Sequence, residues 1–258
     1  MALPTVLLAL AGCALAPAGP GTAGPAAVAE PPPSTAAAST PPGPGSLATP
    51  SLQERYAALR AGDGQVYQIE PAQSQLRIYA FRAGSARQFG HNHVLSAPQF
   101  TGYAFVARSP AAAQPSRFDL EFALDALLLD LPEHRSNLGE AFASVLTPAQ
   151  IAATRENMLG RFGLQAAQYP VVRIRSLQLQ GETPKLVAQL AITLHGQERQ
   201  MQVPLQVQTS AQSLQVQGSL VLLQTDFGIK PYSVLGGLLA VQDAVLVEFK
   251  LQGTALPP

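Results

Sequence analysis

The sequence is short of most features that betray a catalyst or a nucleic-acid binder. It has one cysteine, Cys13, no tryptophan and three methionines. A single thiol excludes an internal disulfide framework and any multi-cysteine metal cluster. Charged residues make up 12% of the chain, about half the usual share, and 16 Lys+Arg balance 16 Asp+Glu to a formal net charge of +0. No basic run or stripe occurs, so the phosphate attraction that drives nucleic-acid binding has no source. There is no Gly-x-Ser-x-Gly elbow, no His-Glu-x-x-His helix and no phosphate-binding glycine loop. Without a catalytic constellation the chain reads as a non-enzyme.

What is present begins with an apolar run, Ala2 to Leu10, too short to cross a bilayer. It ends in Leu10-Ala11-Gly12-Cys13, which resembles the lipobox of bacterial lipoproteins. The resemblance implies a signal peptide over residues 1–13 and a lipid anchor on Cys13. It implies an exported, periplasmic protein attached to a membrane. Ala14 stands where some retained lipoproteins carry an acid, which implies the outer membrane. Residues 14–50 are a Pro/Ala/Gly-rich tether that cannot bury enough apolar surface to fold and is expected to be disordered. Over residues 51–62 a short helix is predicted, with Ser51 as N-cap, Glu54 at the capping-box position and Gly62 past its end.

From Val66 onward an apolar/polar period of two takes over. Leu186, Ala188, Leu190, Ile192 and Leu194 form one strand face; Met201, Val203, Leu205 and Val207 form the next. Leu214, Val216, Gly218, Leu220 and Leu222 follow, and then Val245, Val247, Phe249 and Leu251. Phe118 to Leu124, Phe100 to Val106, Leu76 to Ala80, Tyr67 to Ile69 and the stretches around Val171 and Leu177 extend the pattern. Pro204 is expected at an edge or bulge. One inserted helix is predicted from Thr147 as N-cap through Pro148 to Met158-Leu159-Gly160, lying across the wall or a mouth. Many strands with little helix imply an all-β sandwich or closed barrel, which the period alone does not separate.

Several segments in order resemble the YceI-like, polyisoprenoid-binding family. They are Tyr67-Gln68-Ile69-Glu70-Pro71-Ala72-Gln73-Ser74, Phe100-Thr101-Gly102, Asn157-Met158-Leu159, Ala166-Ala167-Gln168-Tyr169-Pro170, Leu194-His195-Gly196, Thr225-Asp226-Phe227-Gly228-Ile229 and Val241-Gln242-Asp243. The match runs from about Val66 to Leu251, within a domain placed at 64–256. It implies an eight-stranded antiparallel lipocalin-like barrel with a short inserted α-helix, holding an isoprenoid or quinone-like lipid without catalysis. The candidate ligand contacts are His91, His93, Phe89, Phe100, Leu190, Ile192, Leu220 and Phe249.

This chain departs from the family pattern at Gly90-His91-Asn92-His93. In extended backbone the two imidazoles share a side, where they would meet a headgroup or, with His134 as third ligand, a divalent metal. Arg82, Arg87 and Arg135 are the nearby cations for an anionic headgroup. The alternatives to a lipid carrier are therefore a metal-binding protein or metal-dependent enzyme, and a structural domain whose barrel is filled by its own side chains. No protein partner is indicated.

Overall fold

A computed structural model describes residues 50–109 and 111–257 of the protein. The expected signal peptide, Cys13 and all but the last residue of the tether lie outside the described residues. The alternation becomes strands β1 (Gly64–Ile69), β2 (Gln75–Ala83), β3 (His93–Ser96), β4 (Thr101–Ala107), β5 (Arg117–Ala123) and β6 (Leu128–Leu129). These are followed by β7 (Val171–Glu182), β8 (Lys185–Leu194), β9 (Gln197–Thr209), β10 (Ser213–Leu223), β11 (Ser233–Val234) and β12 (Leu239–Ala255). Eight of them form an antiparallel ring in the order β1-β4-β5-β7-β8-β9-β10-β12, closed where Tyr67 of β1 lies opposite Ala255 of β12. This is the barrel that the family resemblance implies, and closure gives every strand of the ring a neighbour on both sides.

β12 is 17 residues long and serves two neighbours on one side. Its last residues pair with β1, while Val245 to Lys250 pair with β2. β3 and then β6 extend from β2 as a short flap beyond the ring. These strands hold four and two residues, too short for a period of two to reveal.

The core forms where alternating faces turn inward: Ala188, Leu190 and Ile192 of β8, Val203, Leu205 and Val207 of β9, and Leu214 of β10 are all buried in one cluster. Pro204 sits inside β9 opposite Val187 of β8. On its other side, pairing with β10 runs from Thr209 opposite Leu214 to Leu205 opposite Gly218 and stops there. A proline has no N–H to give to a ladder, and the parting starts at its position. Gly218 is required at this corner, because a Cβ there would lie 2.7 Å from the Phe249 ring and 2.9 Å from the Pro204 carbonyl oxygen.

Helix α1 (Leu52–Ala57) starts from a reciprocal capping box between Ser51 and Glu54. It buries Leu52 and Tyr56 against Val66, Tyr103 and Phe105 of β1 and β4, and the Tyr56 hydroxyl donates to Asp119 at 2.7 Å. After the short α2 (Pro132–Arg135), the longer α3 (Pro148–Leu159) begins at Thr147 with a second capping box through Gln150. Ile151, Met158 and Leu159 of α3 pack on the barrel core.

Candidate ligand-binding site

The barrel holds a cavity of about 1660 Å³ that is partly open to the outside. Its wall is built from the inward faces of the strands: Leu190 and Ile192 of β8, Leu220 and Leu222 of β10, and Val245, Val247 and Phe249 of β12 all line it. Gln150, Ala153, Thr154, Asn157 and Met158 of α3 also line it, so the helix forms a lid-like part of the wall. Arg155 on the same helix donates to the carbonyl oxygens of Asp125 and Leu127, which fastens α3 to the turn after β5. A barrel filled by its own side chains would leave no such volume.

Of the residues expected to contact a ligand, the structure brings His91, His93, Leu190, Ile192, Leu220 and Phe249 to this cavity. Phe89 and Phe100 are placed elsewhere. The chain from Arg87 to Phe89 forms a tight 3₁₀ turn, which swings Phe89 outward to 74% exposure. Phe100 precedes β4 and packs partly buried against the core cluster without reaching the lining.

The two histidines lie at the cavity end that also carries α3 and the starts of β7 and β12. Asn92 between them points the other way and is pinned at both ends. Its Oδ1 accepts the Arg82 backbone N–H at 2.9 Å and its Nδ2 donates to the Ala141 carbonyl at 3.0 Å. That anchorage holds the extended backbone on which His91 and His93 share a side.

Behind the histidines lies a polar network that sequence reasoning missed. Asp130, fully buried, accepts His93 Nδ1 at 2.6 Å, the Val94 backbone N–H at 3.0 Å and Arg135 Nη1 at 2.5 Å. Arg135, also buried, donates further to the Asn92 carbonyl at 2.8 Å and to Ser144 Oγ at 3.0 Å. Ser144 Oγ in turn lies 3.1 Å from His91 Nδ1. Burial alone would raise the Asp130 carboxyl; the hydrogen bonds from His93, Val94 and Arg135, joined by the His93 charge when that ring is protonated, outweigh it and hold the pKa below its ordinary value. Burial, then the neighbouring His93, Arg135 and Arg82 charges, lower the His91 pKa, with Asp130 opposing them. One signal for this site stood in the sequence: Asp130 is a lone acid in the apolar run Leu127-Leu128-Leu129-Asp130-Leu131, and an acid in such a place needs partners.

Two expectations are corrected here. His134 on α2 does not join His91 and His93: it is absent from the cavity lining and its Nδ1 is buried without a partner. Among the described residues no three His, Cys, Asp or Glu side chains are grouped to hold a metal, because His93 is turned to Asp130 and α2 carries His134 elsewhere. The arginines do not face a headgroup either. Arg135 is consumed by Asp130, Arg82 donates to the Gly90 carbonyl, and none of Arg82, Arg87 and Arg135 lines the cavity.

Two solved structures are similar to the chain. BcnA of Burkholderia cenocepacia is 14% identical, with a TM-score of 0.50 over 71% of this chain and 98% of that chain. A YceI protein of Campylobacter jejuni is 10% identical, with a TM-score of 0.44 over 62% of this chain and 83% of that chain. No curated protein matches the sequence. The YceI-like domain model matches residues 67–253, which is the barrel itself, and the chain therefore belongs to the YceI-like family.

Proposed function

We propose that this protein is a non-catalytic carrier that holds one amphiphilic isoprenoid or similar long apolar lipid inside its barrel. The observation that carries this reading is the cavity of about 1660 Å³ walled by Leu, Ile, Val and Phe. Pockets for small ligands run to roughly 300–1,000 Å³, so the space suits a long chain better than a compact metabolite. Each buried CH₂ is worth about 0.8 kcal/mol, and ten of them outweigh much of the roughly 4–15 kcal/mol lost in immobilising a ligand. The tail lies in the lumen and the headgroup at His91 and His93. With Cys13 lipidated, the tether would hold the barrel at the outer membrane, within reach of lipid.

Native mass spectrometry of protein purified from its host membrane fraction tests the carrier reading. An apolar ligand in one-to-one ratio, retained through washing and released by solvent, is expected. Repeated recovery of empty protein that takes up no added lipid would overturn it. Palmitate incorporation that Cys13→Ser abolishes tests the anchor separately.

A further inference from the structure

The rim network dictates which ring nitrogen of each histidine is left for a ligand. Arg135 Nη2 donates to Ser144 Oγ, and a guanidinium accepts nothing. The hydroxyl keeps one hydrogen to give, and His91 Nδ1 at 3.1 Å is the acceptor we infer for it. With Nδ1 accepting, neutral His91 carries its proton on Nε2 and offers a donor. His93 is set the opposite way. Its Nδ1 lies 2.6 Å from an Asp130 carboxylate oxygen, which only accepts. Nδ1–H donates, and the neutral ring keeps its lone pair at Nε2. Neither Ser144 nor Asp130 lines the cavity, whereas both histidines do. The free Nε2 positions of the two histidines offer the cavity one donor and one acceptor on alternate residues.

Resting on the carrier reading above, we propose that His91 and His93 jointly bind a hydroxyl group, so that the barrel selects a long-chain alcohol or phenol over its phosphorylated form. A hydroxyl is the simple group that accepts and donates at one oxygen. The His91 Nε2–H donates to that oxygen while the hydroxyl hydrogen is given to His93 Nε2. A phosphate has no matching cation set. The Arg135 charge is spent on Asp130 behind the rim, and Lys230, exposed, is the one Lys or Arg on the lining at this end among the described residues. The other lining cation, Arg117, starts β5 at the opposite end.

The test uses the full chain at pH 8 and three probes of one length: geranylgeraniol, geranylgeranyl diphosphate and the matching C20 hydrocarbon. Two net hydrogen bonds are worth roughly tenfold in affinity, so the alcohol is expected to bind roughly tenfold tighter than the hydrocarbon and tighter than the diphosphate. The pair His91→Phe and His93→Phe should erase the advantage of the alcohol over the hydrocarbon. Long-range ¹H–¹⁵N correlation spectra of the unsubstituted protein report the tautomers without any variant: His91 protonated at Nε2 and His93 at Nδ1. Equal binding of alcohol and hydrocarbon, tighter binding of the diphosphate, or the reverse tautomers would overturn the proposal while leaving the carrier reading standing. Failure of all three probes to bind would overturn the carrier reading and this assignment with it.

Discussion

Replacing Asp130 by alanine should be the most damaging single change at the rim. The carboxylate is fully buried and is held by three donors, one of them the buried Arg135 guanidinium. Removing it leaves Arg135 without its counter-ion and the Val94 N–H without an acceptor. Breaking a buried pair by deleting one partner costs about 3–5 kcal/mol, a large part of the roughly 5–15 kcal/mol by which domains are stable. Urea unfolding should show the midpoint of Asp130→Ala falling with the slope unchanged. If the stranded charge is the cause, Arg135→Leu should recover part of the loss when added to Asp130→Ala, a coupling of about 1–3 kcal/mol. The pH dependence carries a sign. The folded-state pKa of Asp130 is depressed, so its contribution is fully present above the unfolded value of about 3.9. It is lost as pH falls below that value and through the folded pKa. The difference between the protein and Asp130→Ala should accordingly shrink below about pH 4. A loss under about 1 kcal/mol, or strict additivity with Arg135→Leu, would refute the argument from a buried, paired charge.

Ala104 lines the cavity from β4, so Ala104→Phe should occupy lumen space and weaken uptake of a C20 chain more than that of a short one, as displacement of a fluorescent fatty probe would show. Gly218→Ala places a methyl 2.7 Å from the Phe249 ring and 2.9 Å from the Pro204 oxygen; a loss of about 1–3 kcal/mol is expected from such overpacking, read as a lower urea midpoint. Thr147→Ala removes the cap of α3, for which about 1 kcal/mol of local stability is expected. Amide exchange in residues 148–159 should quicken, and bound lipid should leave faster, with the barrel amides unaffected.

The strands were legible in the sequence because they bury one face and wet the other: Leu186 to Leu194 and Leu214 to Leu222 announce themselves by a period of two, whereas their closure into a barrel was implied by the ordered family motifs alone. The start of α3 was equally plain from Thr147 and Pro148. The flap was not, since β3 and β6 offer too few residues for any period to show. The cavity was hidden for a different reason, because Leu, Ile and Val read alike whether they face a void or one another. The rim was half visible. His91 and His93 stood out as a pair, but their settings depend on Asp130, 37 residues from His93, and on Arg135 and Ser144 further on. Side-chain hydrogen bonds across such separations leave no periodic trace, although an acid between leucines is a mark worth following.

The parting at Pro204 bears on how a ligand enters. Beyond it, residues 219–223 of β10 are held by β12 alone and residues 197–203 of β9 by β8 alone. The two margins are joined instead by a latch: His195, in the turn after β8, lies with Nδ1 3.0 Å from the carbonyl oxygen of Phe227, just past β10. Leu220 and Leu222 on one margin face the lumen, while Val221 and Leu223 on the same margin are 57% and 41% exposed. The β10 margin of this seam is apolar on both faces, and the seam is short of backbone hydrogen bonds, the combination from which low-energy local opening is drawn. A complete wall would force a long chain to thread through an end. For a lipid held as proposed above, a wall that parts along this one line would offer a way in from the side, tail and head together.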